Sequence, residues 1–154
     1  MGIEVYHALK SLLSKKFGKS ATLVGDEGGF GAPQITDENL CLEIIMEAIQ
    51  NSGHAGKIDI SLDPAASEFY DSDSKNYNLS QKSGKNDRVM SPDQLIDIYD
   101  NMSQKYPIVS IEDPFDQDDF SAWIKMTERM GDRVQIVGDD LLVTNPVRVQ
   151  VGID

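Results

Sequence analysis

Acidic residues follow each of four short apolar segments in this sequence, at positions where carboxylates could bind a metal ion. The acids are Asp26 with Glu27, Asp63, Glu112 with Asp113, and Asp139 with Asp140. Carboxylate oxygens are preferred ligands of Mg²⁺ in proteins. A charge next to a buried strand costs free energy unless something compensates it. A single acid of this kind is explained by a helix cap, whereas four at matching positions favour a metal site.

The apolar segments that precede these acids predict buried parallel strands. They are short runs rich in Val and Ile, as is typical of strands covered on both faces. The predicted strands are Ala21–Val24, Ile58–Leu62, Ile108–Ile111 and Val134–Val137. Stretches with helical periodicity lie between them, and this alternation predicts an α/β fold. Because parallel strands place their carboxyl ends at one edge of the sheet, we expect the acids to converge there.

Local signals predict the ends of the helices. Asp37 begins one helix that ends near Gly53, and Ser91 caps another that continues with Pro92. Further apolar stripes predict helices from about residue 5 to Gly18, from residue 120 to 131, and from residue 145 onward. The polar segment Asp71–Val89 predicts a long loop, which is more often a lid or binding loop than a surface hairpin without a special role.

The composition excludes several classes of protein. The formal net charge of −12 argues against nucleic-acid binding, which needs clustered Lys and Arg, although an acidic surface also serves solubility alone. No apolar run approaches the roughly 20 residues of a membrane-spanning helix, and no signal-peptide pattern is present. The single Cys41 cannot form an internal disulfide, and we predict a cytoplasmic protein.

Other residues that could carry chemistry have ordinary explanations. The glycine-rich segment Gly25–Pro33 lacks the Lys-Ser/Thr pair of a phosphate-binding loop. His7 and His54 lie on or just beyond predicted helices, so we expect surface or capping roles for them rather than metal binding. Cys41 falls on an apolar helical stripe and is predicted to be part of the core.

Long ordered segments of the sequence closely resemble the enolases. The segments are EVYHALKSLL, VGDEGGF, ISLDPAASEFYD, YPIVSIEDPFDQDD and QIVGDDLLVTNP. The resemblance implies that residues 1–154 are part of the enolase C-terminal barrel domain, a partial TIM-type (βα) barrel of about four parallel strands, barrel strands 3–6. It also implies that the N-terminal domain and the rest of the barrel are absent from this chain.

The resemblance implies roles for four of the acids. Asp63, Glu112 and Asp139 correspond to the carboxylates that hold the catalytic Mg²⁺ in enolases, and Glu27 corresponds to the general acid that assists departure of the substrate's 3-hydroxyl. Glu27, Glu112 and Asp139 are then also substrate-binding residues. The implied activity is that of a carbon–oxygen lyase, phosphopyruvate hydratase, which reversibly dehydrates 2-phosphoglycerate to phosphoenolpyruvate in glycolysis and gluconeogenesis. The implied parent enzyme is a homodimer.

The resemblance also implies that this chain lacks part of the active site. Enzymes of the enolase superfamily use a Lys or His base together with one or two Mg²⁺ ions. The expectation of such a base here follows from the resemblance alone. No predicted strand here ends in Lys. We therefore expect the chain by itself to be inactive.

Two alternative functions share features with this sequence. Receiver-type signalling domains also bind Mg²⁺ at strand-end acids, as Asp139-Asp140 and Asp63-Pro64 suggest, but there the acidic pair comes first and a Lys ends a later strand. Some surface-displayed enolases bind plasminogen through a segment that begins Phe-Tyr-Asp. The segment Phe69–Tyr77 matches that outline in part, and an exposed loop tip is its other interpretation. Its matching residues are Phe69, Tyr70, Asp71, Lys75 and Tyr77.

Overall fold

The computed structural model describes residues 1–80 and 87–153. The α-helices of this part of the chain are α1 (Gly2–Phe17), α2 (Glu38–Asn51), α3 (Pro92–Lys105), α4 (Phe120–Met130), α5 (Asp139–Leu142) and α6 (Pro146–Ile153). The strands are β1 (Leu23–Val24), β2 (Phe30–Gly31), β3 (Ile60–Leu62), β4 (Tyr70–Asp71), β5 (Asn76–Asn78), β6 (Val89–Met90), β7 (Ile108–Glu112) and β8 (Gln135–Val137). Short 3-10 helices cover Lys19–Thr22 and Ala66–Phe69.

The chain divides into two compact units, of which the first is Met1–Ile58. Its core lies where α1 packs against α2, and β1 pairs with β2 in an antiparallel hairpin. The buried members of that core are Leu12, Leu13, Ala21, Ile44 and Ala48. The two predicted helices of this unit are confirmed. Asp37 caps α2 by accepting a hydrogen bond from the Leu40 N–H at 2.9 Å.

The first predicted strand differs from the structure. Ala21 belongs to a 3-10 helix, and β1 pairs with β2 rather than with a parallel strand. The following turn is rich in glycine, and Gly28 takes a φ of 85°, which folds the chain back onto itself. Leu23 and Val24 are consequently 68% and 55% exposed, so their apolar character does not mark a covered strand.

The second unit begins at Asp59 and contains a three-stranded parallel sheet in the order β3–β7–β8. Leu62 pairs with Ile111 and Glu112 pairs with Val137, so the strands end at nearly the same level. The other three predicted strands are therefore confirmed as parallel neighbours, and so is the α/β class. Among the described residues this sheet does not close into a barrel.

Side chains cap the helices α3 and α4 of the second unit, and the cap of α3 by Ser91 was predicted. Ser91 and Gln94 form a capping box at the start of α3, with Pro92 at its first position. Asp119 caps α4 by accepting from the Ala122 N–H. Such caps satisfy N–H groups that have no partner within the helix.

The predicted loop Asp71–Val89 contains more regular structure than the sequence suggested. Its ends belong to an antiparallel sheet in the order β4–β5–β6, while residues 81–86 of that prediction lie outside the described residues. Tyr77 of β5 is fully buried, and its hydroxyl donates to Asp119 Oδ2 at 2.9 Å while accepting from the Asp116 N–H at 3.0 Å. This small sheet is thereby tied to the segment that follows β7.

Several residues other than glycine adopt the left-handed backbone conformation. Three of them follow elements of the parallel sheet or α5: Ala65 (φ 46°), Asp113 (φ 43°) and Val143 (φ 41°). Thr144, next to Val143, has a φ of 56°. Because a Cβ atom makes this conformation costly, each of these residues is held there by its surroundings.

An ion-pair network joins α3 to α4. The buried carboxylate of Asp100 accepts hydrogen bonds from Gln104 and from Arg129 Nε at 2.8 and 2.9 Å, and it also pairs with Arg133. Hydrogen bonds from Gln104, Arg129 and Arg133, together with the charge of Arg129, lower the pKa of Asp100 to about 2.

Protonation of Asp100 is expected to destabilise the fold. Its pKa in the unfolded chain is about 3.9, above the folded value of about 2, so its stabilising effect is complete above that unfolded pKa and is lost as the pH falls towards 2. The free energy of unfolding, measured by urea titration across this window, should fall less steeply in Asp100→Asn. Identical slopes in the two proteins would contradict the assignment.

Candidate metal centre

Three acids lie at the carboxyl edge of the parallel sheet. Asp63 directly follows β3, Glu112 is the last residue of β7, and Asp139 follows β8 after Gly138. Neighbouring strands lie about 4.8 Å apart, and the pairing of Glu112 with Val137 keeps their ends level. The predicted convergence of acids at this edge is therefore present for these three strands.

Three carboxylates of this edge lie close enough to share a cation. One oxygen each from Glu112, Asp113 and Asp139 lies within 4.8 Å of the other two. Oxygens on opposite sides of one Mg²⁺ are about 4.2 Å apart, so small side-chain adjustments would suffice. The donor set, made only of carboxylates, also suits a hard cation. The residues present therefore fit Mg²⁺.

The structure does not place Asp63 in this group of three. Its side chain is exposed, and Oδ1 accepts a hydrogen bond from the Ala65 N–H at 3.1 Å. Its charge still acts on the group, because it contributes to the raised pKa of Glu112. The assignment of Asp63 as a metal ligand stays a prediction.

The pKa values of Glu112 and Asp113 are raised by burial and by the neighbouring acids. Partial burial is the largest cause of the raised pKa of Glu112, followed by the negative charges of Asp63, Asp113, Asp139 and Asp140. Burial likewise raises the pKa of Asp113. Keeping these groups ionised thus costs free energy, which a bound cation would offset.

Glu27 lies in the first unit, at the tip of the β1–β2 hairpin. The Gly28 N–H donates to the Gly25 carbonyl at 2.9 Å, which makes Asp26 and Glu27 the two central residues of a tight turn. The Glu27 side chain is exposed. This turn, rather than a parallel strand, presents the predicted general acid.

Tyr6 of α1 fixes the turn that carries Glu27. Its hydroxyl donates to the Gly28 carbonyl at 2.9 Å, and its ring stacks on Phe30 with 4.5 Å between ring centroids. Tyr6 therefore contacts the last residue of the turn and the strand β2 that follows it. Sequence reasoning did not identify this residue, because its contacts are 22 or more positions away along the chain.

The remaining candidate residues lie outside the acidic group. His54 Nε2 lies 2.7 Å from Glu4 Oε2 in the first unit, and the His54 side chain is half-buried. Cys41 is exposed, so its prediction as core is wrong, even though burial of the sulfur raises the pKa of the thiol. Leu42 and Ile44 form the buried side of α2 instead.

The segment Phe69–Tyr77 presents only part of the outline predicted for plasminogen binding. Lys75 is exposed at the turn between β4 and β5, with a φ of 55°. Tyr77 is fully buried and therefore offers no surface to a partner protein.

A parallel sheet with carboxylates at its carboxyl edge is typical of metal-dependent α/β enzymes. The chain matches the family model described as "Enolase, C-terminal TIM barrel domain" over residues 1–154, and it belongs to this family. This match confirms the resemblance and the TIM-type fold class.

Curated relatives carry the same family name. The chain is 55% identical over 152 residues to a protein named Enolase from Eimeria tenella. It is also 55% identical over 151 residues to a protein named Enolase from Solanum lycopersicum. Each match covers 97% of this chain and 34% of the relative, so the chain spans about a third of the length of these relatives.

Membrane insertion through a helix finds no support in the structure. Within residues 1–80 and 87–153, none of the helices has both the length and the apolar character needed to cross a bilayer.

A methyl group at Gly138 is expected to disturb the segment that carries Asp139. An added Cβ would lie 2.9 Å from Leu141 Cβ and 3.4 Å from the Trp123 ring, so the start of α5 must shift. Overpacking of this kind costs about 1–3 kcal/mol. Chemical unfolding of Gly138→Ala should show this loss, whereas Gly2→Ala, which has no atom within 4 Å of the added carbon, should show none. Equal stabilities for the two variants would contradict the packing argument.

Proposed function

We propose that this chain supplies the metal-binding acids and the proton-donating acid of an enolase active site. The observation that carries the proposal is the group formed by Glu112, Asp113 and Asp139 at the carboxyl edge of β7 and β8, in a chain of the enolase family. The proposed reaction of the whole enzyme is the reversible dehydration of 2-phosphoglycerate to phosphoenolpyruvate, a carbon–oxygen lyase reaction.

The acids at the sheet edge explain how the reaction becomes feasible. Asp63, Glu112 and Asp139 hold Mg²⁺ in this proposal, and Glu112 and Asp139 also bind substrate. A proton next to a carboxylate is weakly acidic, because its removal adds further negative charge. When bound, Mg²⁺ supplies positive charge that stabilises the charge developing on the substrate's carboxylate.

Glu27 performs the second task, which is the departure of the 3-hydroxyl. Hydroxide is a poor leaving group and leaves more readily when it receives a proton in the transition state. In this proposal Glu27 is the general acid for that step. The hydrogen bond from Tyr6 to Gly28 limits the movement of the turn on which Glu27 lies.

The cellular setting and the partners are proposed from the family and the composition. We propose a cytoplasmic protein whose parent enzyme is a homodimer. The net charge of −12 disfavours nucleic acid as a partner. Surface display with plasminogen binding is the weaker alternative, because Lys75 is exposed while Tyr77 is buried.

Calorimetric titration of the chain with Mg²⁺ alone tests the metal site. Glu112→Gln should weaken binding by at least about tenfold, because it removes a carboxylate of the group. Asp132→Asn is the matched control, since Asp132 precedes β8 at its amino end and loses the same charge. The control should bind like the unchanged chain. Equal affinity in both variants, or no binding by the unchanged chain, would refute the proposed metal site.

The chain by itself is expected not to catalyse the reaction. None of the strands in the described residues ends in Lys, so the base that the family uses has no counterpart at this sheet edge. Incubation with 2-phosphoglycerate and Mg²⁺ should leave the ultraviolet absorbance of the enol product at background. A full-length enolase in the same assay serves as the positive control, and a rise with the chain alone would overturn this expectation.

A further inference from the structure

We propose that Asp113 is a positioning residue that locks the strand ends around the metal site, and that it is not itself a ligand of the ion. This inference rests on the proposed metal site. It separates Asp113 from Glu112 and Asp139, the two neighbours with which it forms the acidic group.

The backbone of Asp113 connects the end of β7 to β8 and to the 3-10 helix that follows β3. Its N–H donates to the carbonyl of Val137, the last residue of β8, at 2.9 Å. Its carbonyl accepts from the Ala66 N–H at 3.0 Å, just beyond the end of β3 and the predicted ligand Asp63. The left-handed φ of 43° redirects the chain here, at the point where all three strands end. Asp and Asn tolerate this conformation better than most residues.

The side chain of Asp113 holds the segment that carries Asp139. Both of its carboxylate oxygens accept from the Asp140 N–H, at 3.1 and 3.2 Å. This N–H belongs to the first turn of α5, where N–H groups have no partner within the helix. Because Asp140 directly follows Asp139, the contact limits how far the Asp139 carboxylate can move.

Burial distinguishes Asp113 from the acids on either side of it. Asp113 is only 5% exposed, whereas Glu112 is partly exposed and Asp139 is exposed. A buried carboxylate directed at a backbone N–H is suited to orienting other ligands, and groups of this kind affect metal affinity strongly.

Two substitutions at Asp113 separate positioning from charge. Asp113→Asn and Asp113→Gly both tolerate a positive φ and both remove one negative charge. The asparagine keeps an oxygen that can accept from the Asp140 N–H, whereas the glycine keeps none. We expect Mg²⁺ to bind the glycine variant about 10–100-fold more weakly than the asparagine variant. Calorimetric titration with Mg²⁺ alone measures this ratio.

Two results of that titration would overturn the proposal. Equal affinity in the asparagine and glycine variants would mean that charge or direct ligation accounts for the whole effect. An unchanged affinity accompanied by a lower melting temperature would mean that Asp113 only stabilises the fold. If the glycine variant does not fold, Asp113→Asn is compared with Asp140→Asn, which removes a neighbouring charge but keeps the N–H. Because the asparagine keeps an acceptor for the Asp140 N–H and each variant loses one charge, similar losses are then expected. A much larger loss at Asp113 would indicate direct ligation and would overturn the proposal.

Amide hydrogen exchange separates this inference from the proposed function. If the unchanged chain binds no Mg²⁺, the proposed metal site fails. The exchange rate of the Asp140 N–H in the metal-free chain still tests the positioning contact. It should rise in Asp113→Gly and much less in Asp113→Asn, and equal rates in the two variants would overturn the contact itself.

Discussion

Repulsion between carboxylates is the constraint on which the rest of the second unit depends. Two charges about 4 Å apart repel each other by about 1 kcal/mol in water and by about 4 kcal/mol near a protein surface. Glu112, Asp113 and Asp139 are held within such distances by the hydrogen bonds of the parallel sheet. Folding therefore brings an unfavourable repulsion free energy to this edge, and a bound cation would reduce it.

The segment after β7 resists this repulsion through its packing. Phe115 is fully buried, and its ring lies about 6 Å from the rings of Tyr77, Tyr99 and Trp123. The hydroxyl of Tyr99 donates to the Pro114 carbonyl at 3.1 Å. The residues directly after Asp113 are thus packed in the core. This packing holds the carboxyl end of β7 in place against the repulsion between the acids.

Much of this arrangement could be predicted from the sequence, because its signals are local. Strands β3, β7 and β8 are short apolar runs that end in acids, and Ser91 with Pro92 marks the start of α3. Glu112 and Asp139 follow from the same pattern. The hairpin of β1 could not be predicted in this way, since Leu23 and Val24 resemble a buried strand but are exposed.

Other features depend on contacts between distant residues, which a single sequence does not reveal. Asp113 looked like a mere neighbour of Glu112, although its carboxylate contacts Asp140, 27 positions further along the chain. The available signal was an acid that directly precedes a proline at the end of a strand. Tyr77 likewise belonged to a polar segment, and its partner Asp119 lies 42 positions away.

The left-handed backbone at Val143 and Thr144 places conformational strain directly after α5. Each of these β-branched residues holds a conformation that costs on the order of 1–3 kcal/mol. Glycine in place of Val143 would relieve this strain but would also enlarge the conformational freedom of the unfolded chain, so that the net gain in stability would be smaller. The short helix that begins at Asp139 is thus followed by two residues with a strained backbone. A substitution that relieves this strain would raise the stability of the chain.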